Sequence, residues 1–463
     1  VDFCVAPHGT ADFIGPILAT NGHLTGLPYG NATKYFELPA DQYDVRLVAP
    51  GGSDCKTALG GLPDFTDLPD VPDGTSATIA AEGLVAFGNA TPFALRAYID
   101  ASTVAPGKAA LHFVHASPGT PAVDVGIGGG VLFTPVFSDV SFGGDKAAVV
   151  DPIDGAELSA RAHGSLTDAL SIKPTSLPAG ALASAFAIGQ GASLRVLLCV
   201  DNAPPNGLLT QCSLVGGTPE RAHVRIAHLS PDTPAVDVCL APAGGAFGQP
   251  LFKTLAMNDG LAYPQVTAYV DLPAGSYDAR IIHATASSCA IGAVPDAKSI
   301  AVHDGETATV AAIGVLDASG PAASNPALHL AVFADDTAVT SNQLKLRFIH
   351  ASPGTPAVDV GLGSGTGFTK VFANVAFGDT AAQYASDNGF VVTQPFTADV
   401  SARLANATAD ALVIPNVSLP ASSISTAIAI GGKTGASTNP LSVLLCSDNA
   451  PANGLYAACA VAP

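Results

Sequence analysis

His115-Ala-Ser-Pro-Gly-Thr-Pro-Ala-Val-Asp-Val125 decides the reading of this chain, because the chain uses it more than once. It recurs as His228-Leu-Ser-Pro-Asp-Thr-Pro-Ala-Val-Asp-Val238 and, unchanged, from His350 to Val360. A shortened copy stands at the start, where Val1-Asp2-Phe3-Cys4 matches Val236-Asp237-Val238-Cys239. A segment repeated in this way marks one structural unit used several times. Four units follow, at 1–104, 105–218, 219–339 and 340–463. They alternate as A-B-A-B. Units one and three share Glu37-Leu-Pro-Ala-Asp-Gln-Tyr-Asp-Val-Arg46 and Asp271-Leu-Pro-Ala-Gly-Ser-Tyr-Asp-Ala-Arg280. Units two and four share Asp201-Asn-Ala-Pro-Pro-Asn-Gly207 and Asp448-Asn-Ala-Pro-Ala-Asn-Gly454.

The periodicity within the units is that of strands. Val224, Ile226 and His228 alternate with Arg225, Ala227 and Leu229, and Val266, Ala268 and Val270 with Thr267, Tyr269 and Asp271. A period of two with one apolar face predicts half-buried strands. Asn206-Gly207 and Asn453-Gly454 predict hairpin turns centred on those pairs. Helix signals are sparse: Ser184 to Ile188 and Ser425 to Ile430 are Ala-rich but short, with β-branched residues. Many short strands and frequent turns, in units of this size, predict an all-β chain of four tandem β-sandwiches.

Composition agrees. The 463 residues include 48 Gly and 36 Pro, which favour turns over long helices. Charged residues are 12% of the chain, about half the usual share of roughly 25%. With 38 acidic and 19 basic residues the net charge is −19, which excludes nucleic acid as a main partner. A hydrophobic share of 48% excludes disorder, and no apolar run is long enough for a transmembrane segment.

Cysteines stand at 4, 55, 199, 212, 239, 289, 446 and 459. Cys4 and Cys55 recur as Cys239 and Cys289, and Cys199 and Cys212 recur as Cys446 and Cys459, at almost constant offsets. Eight cysteines allow 105 pairings. The repeat selects Cys4–Cys55, Cys199–Cys212, Cys239–Cys289 and Cys446–Cys459. Zinc needs close ligand pairs of the C-x₂₋₄-C kind, and none occurs. The reading is an oxidising, extracytoplasmic compartment.

The block H-x-S-P-x-T-P-A-V-D-V, followed about 35 residues later by L-P-A-G-x-Y-D-x-R, resembles the domain-of-unknown-function family 4397. The resemblance reaches all four units. Unit one lacks the H-x-S-P half, and units two and four depart from the second half, with partial echoes at Ser176-Leu-Pro-Ala-Gly180 and Ser418-Leu-Pro-Ala421. It implies an Ig-like or transthyretin-like sandwich in an exported, bacterial, tandem-module protein. It implies no activity, so function must come from the site.

The motif places His115, Ser117 and Asp124 close in sequence, with copies at His228, Ser230, Asp237 and at His350, Ser352, Asp359. These are the residue types of a hydrolase triad, which needs Ser–His and His–Asp hydrogen bonds and an oxyanion hole. Parity argues for a structural role instead. His115 shares a strand face with Leu111 and Phe113, and His350 with Leu346 and Phe348, so each His ends a core-facing row. Each Ser precedes a proline in a turn, where its hydroxyl holds local backbone. The expectation is therefore no catalytic residue, and a His bonded to the Asp or to a carbonyl across the turn.

Other candidates are weaker. Asp64, Asp67, Asp70 and Asp73 lie in a Pro-rich stretch; a solvated acidic loop is the reading, with calcium the alternative. Gly126 to Gly130 and Gly361 to Gly367 fit no phosphate-loop pattern and read as hairpin ends. Asn31, Asn89, Asn406 and Asn416 head N-x-[ST] triplets. No Trp and few Tyr are present to stack on sugars. No cofactor or metal is expected.

Units two, three and four open with a strand before the Ser-Pro turn, at Ala110–Ala116, Ala222–Leu229 and Leu344–Ala351. In unit one its counterpart falls upstream of Val1. A sandwich without that strand exposes an apolar groove and unpaired backbone. A longer chain, a neighbouring strand or a strand from another subunit would each close it. The last would join subunits head to tail, and such contacts make open filaments. The expected function is a non-enzymatic, exported structural or adhesive protein of the cell surface or matrix. The alternatives are a surface module binding a glycan or protein, and a hydrolase using the repeated motif.

Overall fold

The computed structural model describes every residue except 67, 86–89, 319–324, 382–387, 433–438 and 463. The chain divides into two compact units, Val1–Pro219 and Glu220–Pro463. Among the described residues the α-helices are single turns, Ile17–Thr20 and Leu251–Thr254, and the fold is all-β. No helix is long and apolar enough to cross a membrane.

The second unit shows how the repeated block works. The strand Arg221–His228 lies in a four-stranded sheet, between Val270–Pro273 and Thr307–Ile313, with His329–Ala334 at the edge. After His228 the Ser-Pro-Asp-Thr-Pro segment turns the chain out of that sheet. The following Val-Asp-Val opens the strand Val236–Pro242 in a second sheet, with Gly275–His283 and Ala297–Val302. Proline lacks the N–H a ladder needs, so the two prolines end one sheet and free the chain to cross to the other. The block is thus the corner of a sandwich. Leu344–His350 and Val358–Leu362 repeat the arrangement, the first in a five-stranded sheet and the second in a four-stranded sheet. Leu344, Leu346, Phe348, Val358, Val360, Phe372 and Leu419 fill the core between those two sheets.

In the first unit Ala109–His115 and Val123–Ile127 stand in the same relation, in a five- and a four-stranded sheet around Leu111, Phe113, Val125, Phe137 and Leu158. The N-terminal part is sparser. Asp2–Pro7 pairs with Tyr43–Val48, and Ser76–Glu82 pairs with Ala94–Asp100.

Two sequence expectations need correction, on strand burial and on the hairpin turns. The strands after which the chain turns are not half-buried. Every residue of Ala109–His115 is buried, and so are all residues of Arg221–His228 except His223. Their second face is covered within the unit: Ala227 and Leu229 cluster with Ile349, Ile428 and Leu444 from the sandwich that follows. The Ala-rich segments are strands, Leu182–Ile188 and Ser423–Ile430, each running parallel to the strand that ends in the motif histidine. Small side chains suit a central strand packed on both faces. The predicted hairpin turns are displaced by one residue. Asn206 pairs with Leu209, so Gly207 and Leu208 are central; Gly207 has φ +67°, and a glycine first in the turn fits the type II′ form.

Candidate functional site

The motif residues do not assemble a triad. In the first full copy Ser117 N–H donates to His115 Nδ1 (3.4 Å), which leaves Nε2 to donate to the Pro121 carbonyl at 3.0 Å. The Ser117 hydroxyl bonds Thr120 Oγ1 at 2.6 Å and the Gly189 carbonyl at 2.5 Å. The third copy repeats this with His350 to Pro356, and Ser352 to Thr355 and the Gly431 carbonyl. The second copy differs because Asp232 stands where the others have glycine. His228 reaches the carbonyls of Thr233 and Pro234, Ser230 donates to Asp232, and Asp232 accepts from Leu316 N–H. In no copy does the serine hydroxyl bond the imidazole. Burial pushes all three imidazoles below the usual histidine range, which their backbone carbonyl partners only partly oppose. They are neutral braces across the corner.

The motif aspartates work elsewhere, each binding backbone amides. Asp2 accepts from Leu18 and Ala19 N–H, and Asp237 from Phe252 and Lys253 N–H, so each holds the first turn of a short helix. Asp124 accepts from Asp139 N–H at 2.8 Å and from His163; Asp359 accepts from Asn374 N–H at 2.8 Å and pairs with Lys370. Asp139 and Asn374 have positive φ, +55° and +49°, at register shifts in their hairpins. A carboxylate on the amide steadies a backbone that L-residues rarely adopt. The expected His–Asp bond is therefore absent; of the two expected partners the His takes a carbonyl.

The cysteines pair as Cys4–Cys55, Cys199–Cys212, Cys239–Cys289 and Cys446–Cys459. Of the acidic series, Asp64 is held by Arg46 in a bidentate pair at 2.6 Å, while Asp67, like Asn89 of the N-x-[ST] series, lies outside the described residues. Among the described residues no group of three or more His, Cys, Asp or Glu is placed to hold a metal.

The densest polar chemistry is a seam that sequence reasoning missed, buried in each unit between strands of its N-terminal and C-terminal halves. In the second unit its centre is Arg225, only 2% exposed. Its Nε donates to Thr309 Oγ1 at 2.7 Å and one terminal nitrogen donates to Asp448 Oδ1 at 2.7 Å. Asp335 accepts from Tyr269 (2.7 Å) and Thr309 (2.7 Å) and is paired with Arg347. Arg347 also reaches Thr426, which donates to Asp448 at 2.6 Å. Two guanidinium groups thus face two carboxylates, and the network closes with its charges balanced. Buried ions tolerate desolvation only when paired and hydrogen-bonded in this way.

The first unit carries the same seam with different charge. Asp100 accepts from Tyr35 (2.9 Å) and Thr78 (2.6 Å), as Asp335 does from Tyr269 and Thr309. His112 stands where Arg347 does, 3.2 Å from Asp100 and 2.8 Å from Asp145. Ser184 donates to Asp201 at 2.7 Å, as Thr426 does to Asp448. Among the described residues no ion pair reaches Asp201. Burial, with Asp100 nearby, raises the Asp201 carboxyl to about 6. Thr307–Ile313 is paired on both edges, by Arg221–His228 and His329–Ala334; among the described residues Ser76–Glu82 pairs with Ala94–Asp100. Ile79 is 44% exposed, and Ala81 is exposed where Ala312 is buried. A signal for the seam was present: Tyr35, Asp100 and Asp201 recur as Tyr269, Asp335 and Asp448. Polar residues that repeat inside apolar strands mark a shared buried network.

The family profile described as Domain of unknown function (DUF4397) matches residues 8–126 and 222–361, more than half of the chain. No curated protein matches it. Among solved structures, the Bacillus anthracis TIE protein aligns at 8% identity and a TM-score of 0.15, a level that carries no argument. That alignment takes in 79% of this chain, which spans 59% of the TIE protein.

Proposed function

The chain belongs to the family described as Domain of unknown function (DUF4397), and from that premise we propose a non-enzymatic structural protein, exported and assembled outside the cell. The observation that carries this reading is that the motif histidines and serines bond backbone carbonyls and the motif aspartates bond backbone amides, so all of them hold corners and turns. Head-to-tail assembly, with a strand of one chain added to a sheet edge of the next, is part of the proposal. Four disulfides support an oxidising compartment. The motif histidines, serines and aspartates are all engaged in holding corners and turns, which supports a structural part for them. An adhesive role at a cell surface fits the same frame.

Light scattering on the oxidised chain tests the assembly. The expected result is a polymer that falls to 46 kDa chains only in denaturant. A 46 kDa monomer at all concentrations overturns it and turns attention to a monomeric ligand-binding module.

A further inference from the structure

We infer that the short disulfides, Cys199–Cys212 and Cys446–Cys459, are redox-sensitive clasps: a dithiol reductant opens them while Cys239–Cys289 stays closed, and opening loosens one half of the unit from the other. Each short bridge closes a separation of 13 residues. The loop between the two cysteines reaches across its unit and pairs with a segment of the N-terminal half. In the second unit Thr267 and Tyr456 form a β-bridge, Ala268 N–H donates to the Leu455 carbonyl at 2.7 Å, and Ala457 N–H donates to the Val266 carbonyl at 3.0 Å. In the first unit Thr33 and Leu209 form the same bridge, Lys34 N–H donates to the Leu208 carbonyl at 2.8 Å, and Thr210 N–H donates to the Ala32 carbonyl at 3.1 Å. The loop of the second unit also carries Asp448, whose carboxylate accepts from Arg225 and Thr426 in the buried seam. Each short bridge thus sits at the root of an arm that grips the opposite half.

Access and position set these bridges apart. Thiol–disulfide exchange needs a sulfur that an attacking thiolate can reach. Cys239 is 0% exposed and Cys289 is 7% exposed, so that bridge is shielded at both ends. In the short bridges one end is deep, Cys199 and Cys446, while the other, Cys212 and Cys459, is part-exposed. Cys212 and Cys459 open the strands Cys212–Val215 and Cys459–Val461, which lie at sheet edges and have only four and three residues. A thiolate of the dithiol attacks the Cys459 sulfur and displaces Cys446 as a thiolate. The second thiolate of the reagent then attacks the mixed disulfide and releases Cys459. The bridge gains two electrons and the two protons the dithiol gives up, and the reagent leaves as its own disulfide. Cys446 stays within Ser442–Ser447, paired on both edges, so the sheet is kept. The arm loses the loop closure that fixes it, and its bonds to the other half open more often.

The test uses the whole oxidised chain without denaturant. Dithiothreitol is added in increasing amounts, free thiols are trapped with iodoacetamide, and peptide mass spectrometry locates them. Cys446 and Cys459 are expected to be trapped roughly tenfold faster than Cys239 and Cys289. Hydrogen exchange on the partly reduced chain reads the clasp. The amides of Ala268 and Ala457 should exchange roughly tenfold faster or more, while the ladder between Val236–Pro242 and Gly275–His283 keeps its protection. Cys446→Ser combined with Cys459→Ser should show the same loosening with no reductant present, and dithiothreitol should then change it no further. Should that variant fail to fold, the partly reduced natural chain still decides. Trapping of both bridges together, or of Cys239 and Cys289 first, overturns the inference. So does an open short bridge with exchange at Ala268 and Ala457 unchanged. Both readouts lie within one unit, so the result stands apart from whether chains assemble.

Discussion

The three motif histidines set a pH dependence. His115, His228 and His350 are buried and neutral, and burial holds each below its usual range. The unfolded chain takes up these protons near pH 6.5, the folded chain only at lower pH. The unfolded state therefore binds more protons just below pH 6.5, and the stability present above that pH is lost as pH falls. Two groups in the first unit act in the opposite sense. For His112, burial lowers the pKa but the bonds to Asp100 and Asp145 outweigh it and raise it; Asp201 is raised to about 6. Protonating either favours the folded state. Acid should thus weaken the second unit, with His228 and His350, more than the first. Urea midpoints at pH 7.5 and 5.5 measure this, and His350→Gln should flatten the fall. A midpoint that rises on acidification for both units contradicts the argument.

Among the elements, the disulfides act on two different kinds of loop. Cys4–Cys55 and Cys239–Cys289 close separations of 51 and 50 residues, and Cys199–Cys212 and Cys446–Cys459 close 13. Loop entropy assigns about 4 kcal/mol to each long bridge and about 3 kcal/mol to each short one. The short bridges also join residues that are already register partners on neighbouring strands, Cys199 with Cys212 and Cys446 with Cys459. The long bridges tie the strands Asp2–Pro7 and Val236–Pro242 to loops outside the sheets, whose carbonyls at Cys55 and Cys289 also accept from Arg46 and Arg280. Replacing Cys239 and Cys289 by alanine should therefore lower the urea midpoint more than replacing Cys446 and Cys459. Equal losses would mean that loop length is not the deciding term.

At the scale of the molecule, the two units share a plan but not its completion. The second unit has a balanced buried network and a strand on each side of Thr307–Ile313. In the first, among the described residues, Asp201 accepts from Ser184 with no ion pair, and Ser76–Glu82 forms a two-stranded sheet with Ala94–Asp100. Glu82 occupies the position of Ile313 and is bonded to Tyr98 at 2.7 Å, where in the second unit Ile313 and Phe333 share an apolar cluster. Calorimetry of the oxidised chain should resolve two transitions, with residues 1–219 melting first. A single transition would count against this division.

Much of this was legible in the residues. The repeated block, its prolines and the period of two lead to sheet corners and an all-β chain, since strand parity and the missing proline N–H are local properties. The duplicated cysteine spacing leads to the pairs found, because a repeat carries its cross-links with it. Parity likewise placed His115 and His350 at the ends of core rows. What the sequence could not supply is which surfaces meet. Ala109–His115 and Arg221–His228 read as half-buried because periodicity reports one face, while their second face is covered by a partner far along the chain. For the same reason the period of two sets Arg225 on the face opposite Val224 and Ile226, yet it is buried, as is Arg347. Their partners Asp335 and Asp448 lie 110 and 223 residues from Arg225, and only the packing of sheets far apart in the chain brings them within bonding distance. Local pattern determined the strands, the corners and the cross-links. Tertiary packing alone decided where the buried charges meet, because a charge is tolerated inside only when its counter-ion arrives by folding.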